Sequence, residues 1–110
     1  MFKSGVDIAA WGPQIVLAYV EARNTWGRLF NSMDTPFVVT SGNDGIHGAA
    51  SLHYVGNAMD IRIRDPYGAW ALTDPQARSF EVALKSALGE QFDVVWERDH
   101  FHVEFQPKRR

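Results

Sequence analysis

The chain has 110 residues, 45% of them hydrophobic and 22% charged, with a net charge of -2 and no cysteine. Such a profile describes a single globular domain over residues 1–110 with one modest core. It excludes a disulfide framework and every thiolate metal site, and it gives no general electrostatic reason to expect a nucleic-acid partner.

No apolar run approaches the roughly 18 residues that cross a bilayer, so no membrane insertion is expected. Met1 to Asp7 carry no basic region followed by an apolar stretch. Synthesis in the cytoplasm without a secretory signal is therefore the expectation. The basic residues Lys108, Arg109 and Arg110 read as a solvated tail.

The first element in chain order is a helix over 12–32. Its apolar positions Ile15, Tyr19, Ala22, Trp26, Leu29 and Phe30 recur at three- and four-residue spacing, Pro13 suits the first turn, and Gly27 is a weak point. Phe37 to Thr40 reads as a short buried strand after Pro36. Residues 41–57 form a long glycine-bearing loop, of the kind that is functional in so small a domain. His47 reads as a solvent-facing member of it.

Ala58 to Arg64 alternates, with Met59, Ile61 and Ile63 on one face and Asp60, Arg62 and Arg64 on the other. Asp65-Pro66-Tyr67-Gly68 is a turn. A second helix is expected from Pro75 to Leu88, with Asp74 as N-cap and Gly89 as its stop. Its apolar face is Ala77, Phe80, Leu84 and Leu88, widened by Ala83 and Ala87. Phe92 to Glu97 and His100 to Phe105 read as two strands joined at Arg98-Asp99. The order α-β-β-α-β-β predicts an α+β fold, a small, mostly antiparallel sheet with flanking helices.

Alternation in the last strand places His100, His102 and Glu104 on one face and Phe101, Val103 and Phe105 toward the helices. Asp60 and His102 then become neighbours across two polar strand faces. His53 precedes Asp60 by seven residues, and Gly56 allows the chain to turn so that His53 returns to the same point. Two histidines and one carboxylate suit a divalent metal with an open position. Non-haem iron uses the same donor types, but the wide spacing across a loop in so short a chain suits zinc better. A hydrolytic site also needs a general base. Glu97, opposite His100 in a two-residue hairpin, and Asp99, in the turn, both qualify, and strand geometry leans to Glu97. His100 could stay off the metal and hydrogen-bond a developing oxyanion.

Ser51-x-His53-x-x-Gly56-x-Ala58-x-Asp60, followed by Asp99-His100-x-His102, resembles the zinc D-alanyl-D-alanine carboxypeptidases and L-alanyl-D-glutamate endopeptidases. That group includes vancomycin-resistance carboxypeptidases and phage endolysins, and hedgehog domains share its fold. The likeness covers residues 37–105. It implies Zn2+ held by His53, Asp60 and His102, Asp99 as catalytic acid/base in place of Glu97, His100 as transition-state stabiliser, and Ser51 supporting the site on its substrate side.

One departure concerns substrate recognition. Many members carry an arginine shortly after the Ser-Gly that corresponds to Ser41-Gly42, where this chain has Asn43 and Asp44. Arg62 or Arg64 could supply that charge. The expectation is a monomeric zinc peptidase acting on peptidoglycan peptides, reaching the cell wall from a phage or through a separate pore. The alternative is a non-catalytic zinc-binding module that binds cell wall or serves as a phage structural part.

Overall fold

The structure, a computed structural model, describes residues 2, 11–31, 33, 35–41 (Ser41 by its backbone) and 57–106. The fold is α+β: two helices packed on a four-stranded antiparallel sheet. The elements are α1 (Pro13–Phe30), β1 (Val39–Ser41), β2 (Ala58–Arg62), α2 (Asp74–Leu88), β3 (Phe92–Glu97) and β4 (His100–Phe105). Strand order across the sheet is β1-β2-β4-β3. The crossover through α2 therefore brings the last strand to lie between β2 and β3. Among the described residues no helix is long and apolar enough to cross a membrane.

Ile15, Ala18, Ala22, Thr25, Trp26 and Phe30 form the buried face of α1. The expected face differs at its edges: Ala18 is fully buried, whereas Leu29 turns outward and is 40% exposed. The helix runs unbroken through Gly27, which lies on its solvent side.

In α2 the N-cap is Thr73 rather than Asp74. Its hydroxyl accepts from the Gln76 amide at 3.3 Å while the Gln76 side chain accepts from the Thr73 amide at 2.8 Å. This reciprocal pair satisfies two helix-end donors. Pro75 thus stands one position deeper than expected. At the other end Gly89 has φ +80°, a conformation suited to glycine, and its amide bonds the Lys85 carbonyl at 3.0 Å. Ala87 is exposed and Glu81 is buried instead, its carboxylate held by Arg78 at 3.0 Å and Lys85 at 3.4 Å.

Met59 and Ile61 of β2, Val94 of β3, and Phe101 and Val103 of β4 project from one face of the sheet into the core. They meet α1 and α2 around an aromatic cluster. Phe80 lies 5.2 Å from Trp26 and 5.1 Å from Phe101, centroid to centroid. Burying rings of this size contributes about 1.5–3 kcal/mol each.

Two strand boundaries depart from expectation. Phe37 packs against Tyr19 and Trp26, at 5.8 and 5.7 Å, so pairing starts only at Val39. β2 leaves the ladder after Arg62 because Ile63 bonds outward, its amide to the Asp99 carbonyl and its carbonyl to the Leu72 amide.

Candidate metal and catalytic centre

The face of the sheet turned away from the helices carries the polar residues. β2 and β4 pair with Asp60 opposite His102 and Arg62 opposite His100, and β3 places Glu97 opposite His100. The period-two alternation of each strand thus gathers Asp60, Arg62, Glu97, His100, His102 and Glu104 on one surface.

His102 is clasped from both sides. Its Nδ1 lies 2.9 Å from Asp60 Oδ1 and its Nε2 lies 2.7 Å from Glu104 Oε1. All three side chains are largely buried, at 18–19% exposure. The hydrogen bond to Asp60, supported by Glu104 against the opposing cost of burial, raises the His102 pKa to about 9. Without a metal, His102 is an imidazolium donating to two carboxylates.

His100 is oriented differently. Its Nδ1 lies 3.0 Å from Asp99 Oδ1, and its Nε2 points back toward Asp60 Oδ1 at 4.0 Å and Glu97 Oε2 at 3.9 Å. The bond from His100 holds the Asp99 carboxyl below the ordinary carboxylate range, with a smaller contribution from the Arg64 charge. A cavity of about 220 Å³ opens here, lined by Thr40, Asp60, Arg62, Arg64, Asp99 and His100. A larger groove of about 560 Å³ runs along β3 and the end of α2. The smaller cavity is the one that brings an acid, an imidazole and two guanidinium groups together.

The donors present suit zinc in chemistry: Asp60 Oδ1 and His102 Nδ1 would hold the ion in place of the proton between them. In that state Nε2–H still donates to Glu104, which fixes the ring tautomer as carboxylate partners of metal-bound histidines do. Among the described residues no three His, Asp or Glu donors converge on one point. Ser51, His53 and His47 lie outside the described residues.

Of the expected site residues, Asp60 and His102 face each other at the middle of the β2–β4 pair, and His100 and Asp99 stand at its Arg62 end. Glu104 was legible as a member of the polar face, but its contact with the far nitrogen of His102 depends on a ring orientation that strand parity does not specify. No family model matches the chain, and neither does any curated protein or solved structure.

Proposed function

We propose that the chain is a zinc-dependent peptidase that hydrolyses peptide bonds of bacterial peptidoglycan, either at D-alanyl-D-alanine or at L-alanyl-D-glutamate. The observation that carries this reading is the cross-strand pair Asp60–His102 with the Asp99–His100 pair beside it on one cavity. Asp60 and His102 are the proposed ligands, joined by His53 from the loop, with Ser51 supporting the site. Bound zinc supplies Lewis acidity to the scissile carbonyl and the attacking water.

The chain's own groups do the rest. The Asp99 carboxylate accepts the proton of the attacking water and delivers it to the leaving amine. Its depressed pKa keeps it ionised. His100, tethered through Nδ1 to Asp99, keeps Nε2 turned toward Asp60; with both ring nitrogens protonated, Nε2 donates to the oxygen that gains charge. Glu97 stands on the other side of the same imidazole and is the reserve base.

The test is digestion of purified peptidoglycan by zinc-reconstituted protein, read by mass spectrometry of the released muropeptides. New amino groups are expected from the wild type and none from Asp60→Ala or His102→Ala. Intact peptidoglycan after incubation with wild type that has measurably bound zinc would overturn the reading.

One observation favours a second reading. The Asp60–His102–Glu104 triad satisfies itself without a metal, as a structural polar cluster in a non-catalytic cell-wall-binding module would. Tight peptidoglycan binding with no cleavage would select it.

A further inference from the structure

The solvent face of α1 carries two kinds of surface end to end. Its N-terminal half bears Val16, Leu17 and Val20, which are 46%, 65% and 45% exposed. Its C-terminal half bears a shallow hollow of about 670 Å³ lined by Arg23, Asn24, Gly27, Arg28 and Asn31. At 3.6 residues per turn, Leu17, Val20, Asn24 and Gly27 share one stripe, opposite the buried stripe of Ile15, Ala18, Ala22 and Trp26. A single exposed aliphatic residue needs no explanation, but three adjoining ones on a ridge mark a surface that something covers.

The charge on this face is one-sided. Glu21 is the sole carboxylate of α1, and among the described residues it forms no ion pair with Arg23 or Arg28. Arg28 donates to the Thr25 hydroxyl at 3.2 Å, a bond that leaves its charge uncompensated. Gly27 floors the hollow between the two arginines, and a Cβ added there would meet nothing within 4 Å. Packing within the chain therefore gives no reason for a glycine inside this helix, where it costs stability relative to alanine. Its missing side chain leaves the helix backbone open to close approach from outside.

Arginines without a paired acid select an anionic partner, and the aliphatic ridge selects one with an apolar interior. Size decides between the candidates. The 18 residues of α1 make a strip about 27 Å long and about 10 Å across. That is well under the roughly 800 Å² that each partner contributes to a stable protein interface. A lipid surface has no such threshold, because each inserted aliphatic side chain and each cation near the headgroups adds to binding separately. The net charge of -2 opposes any general attraction to an anionic surface, so binding of this kind has to come from a local patch.

We propose that α1 docks the chain on the surface of an anionic lipid bilayer, with Val16, Leu17 and Val20 among the upper acyl chains and Arg23 and Arg28 at the headgroup phosphates. The helix lies on the bilayer and does not cross it. The helices pack on one face of the sheet and the Asp60–His102 pair is on the other, so a docked chain turns its candidate centre away from the lipid. The docking stands without the peptidase reading, and its test involves no turnover.

The full chain is mixed with sedimenting vesicles of phosphatidylcholine alone, or of phosphatidylcholine with one third phosphatidylglycerol, and the bound fraction is measured at low and high salt. Partition should be about tenfold or more stronger onto the anionic vesicles and should weaken at high salt. Arg23→Gln/Arg28→Gln should lower it about tenfold or more, while Arg23→Lys/Arg28→Lys should retain most of it, since a plane of headgroups asks for charge and not for a guanidinium fork. Leu17→Asp/Val20→Asp should also lower it about tenfold or more, through lost apolar contact and added repulsion. Val82→Asp, at a 58% exposed position of α2, should change nothing. All of these positions are exposed, and thermal melts of each variant confirm that the fold is kept.

No sedimentation with either vesicle, equal partition onto both, or a partition that survives either the glutamine or the aspartate double variant overturns the proposal. Binding to soluble polyglutamate that matches binding to the anionic vesicles and is indifferent to Leu17→Asp/Val20→Asp also overturns it, in favour of an acidic polypeptide partner.

Discussion

At the scale of single residues, the behaviour of the site follows from what holds His102. With Nδ1 on Asp60 and Nε2 on Glu104, one nitrogen is available to a metal only while the other keeps its proton on Glu104. Glu104→Gln should therefore weaken zinc binding about 10- to 100-fold, the usual cost of losing the partner that orients a histidine ligand. Competition with a calibrated chelator measures this, and an unchanged affinity would remove Glu104 from the site. In metal-free protein the same clasp makes stability depend on pH. The folded-state pKa, about 9, is above the ordinary 6.5, so the contribution of His102 is fully present below about pH 6.5 and is lost as pH rises through about 9. Urea midpoints of chelator-treated wild type, taken relative to His102→Gln, should fall between pH 6.5 and 9.5. A difference that is flat or grows over that range contradicts the clasp. Asp60 and His102 were legible as facing neighbours from the alternation of two strands alone. The division of labour between Asp99 and Glu97 was not, because both stand within a residue of the hairpin end and strand parity favours Glu97. In the folded chain both acids are about half exposed: Asp99 lines the cavity and lies 3.0 Å from Nδ1 of His100, and Glu97 lies 3.9 Å from the other nitrogen of that ring.

At the scale of elements, propensity and packing disagree in one place. Gly27 sits in the interior of α1 on its solvent side, and a Cβ added there would meet nothing within 4 Å. Gly27→Ala should stabilise the protein by about 0.5–1 kcal/mol, through helix propensity and a less flexible unfolded chain. A thermal or urea melt checks this, and a loss of stability would mean that the solvent face of α1 is covered by something else. The α+β class and all six elements could be read from apolar periodicity and turn residues, since each helix and strand has one face that must be buried. The boundaries that moved did so for tertiary reasons. Phe37 gives up the start of β1 to fill the space between Tyr19 and Trp26, and Ile63 exchanges ladder bonds for bonds to Asp99 and Leu72. Thr73 and Asp74 are both good capping types, and only the Gln76 side chain, reaching back to Thr73, decides between them. The pairing of Arg62 with Arg64 across one cavity depends on those same exchanges, which put Arg64 outside the ladder and beside Asp99, so sequence pattern could name the two arginines but not join them.

At the scale of the whole molecule, the site is a long-range construction. Asp60 and His102 are 42 positions apart and meet only because β4 inserts between β2 and β3. A metal bound by both would tie the two central strands together, and its binding energy would appear as folding stability. Zinc at a free concentration a hundred times its dissociation constant should stabilise the chain by about 2.7 kcal/mol, which for a domain of this size raises Tm by about ten degrees. Asp60→Ala should abolish that rise. Phe80→Ala gives the contrasting result. Its ring packs 5.1 Å from Phe101, on the core side of β4, and its loss should cost about 3–5 kcal/mol, a large part of the roughly 5–15 kcal/mol available to a small domain. The Phe80→Ala melting temperature should therefore fall well below that of wild type while the zinc-induced rise survives, because the strand pairing that sets Asp60 opposite His102 is on the other face of the sheet. Differential scanning calorimetry with and without zinc on wild type and both variants decides it. If Phe80→Ala loses the zinc response while still folding cooperatively, the two faces of the sheet are coupled and the site is not carried by strand register alone.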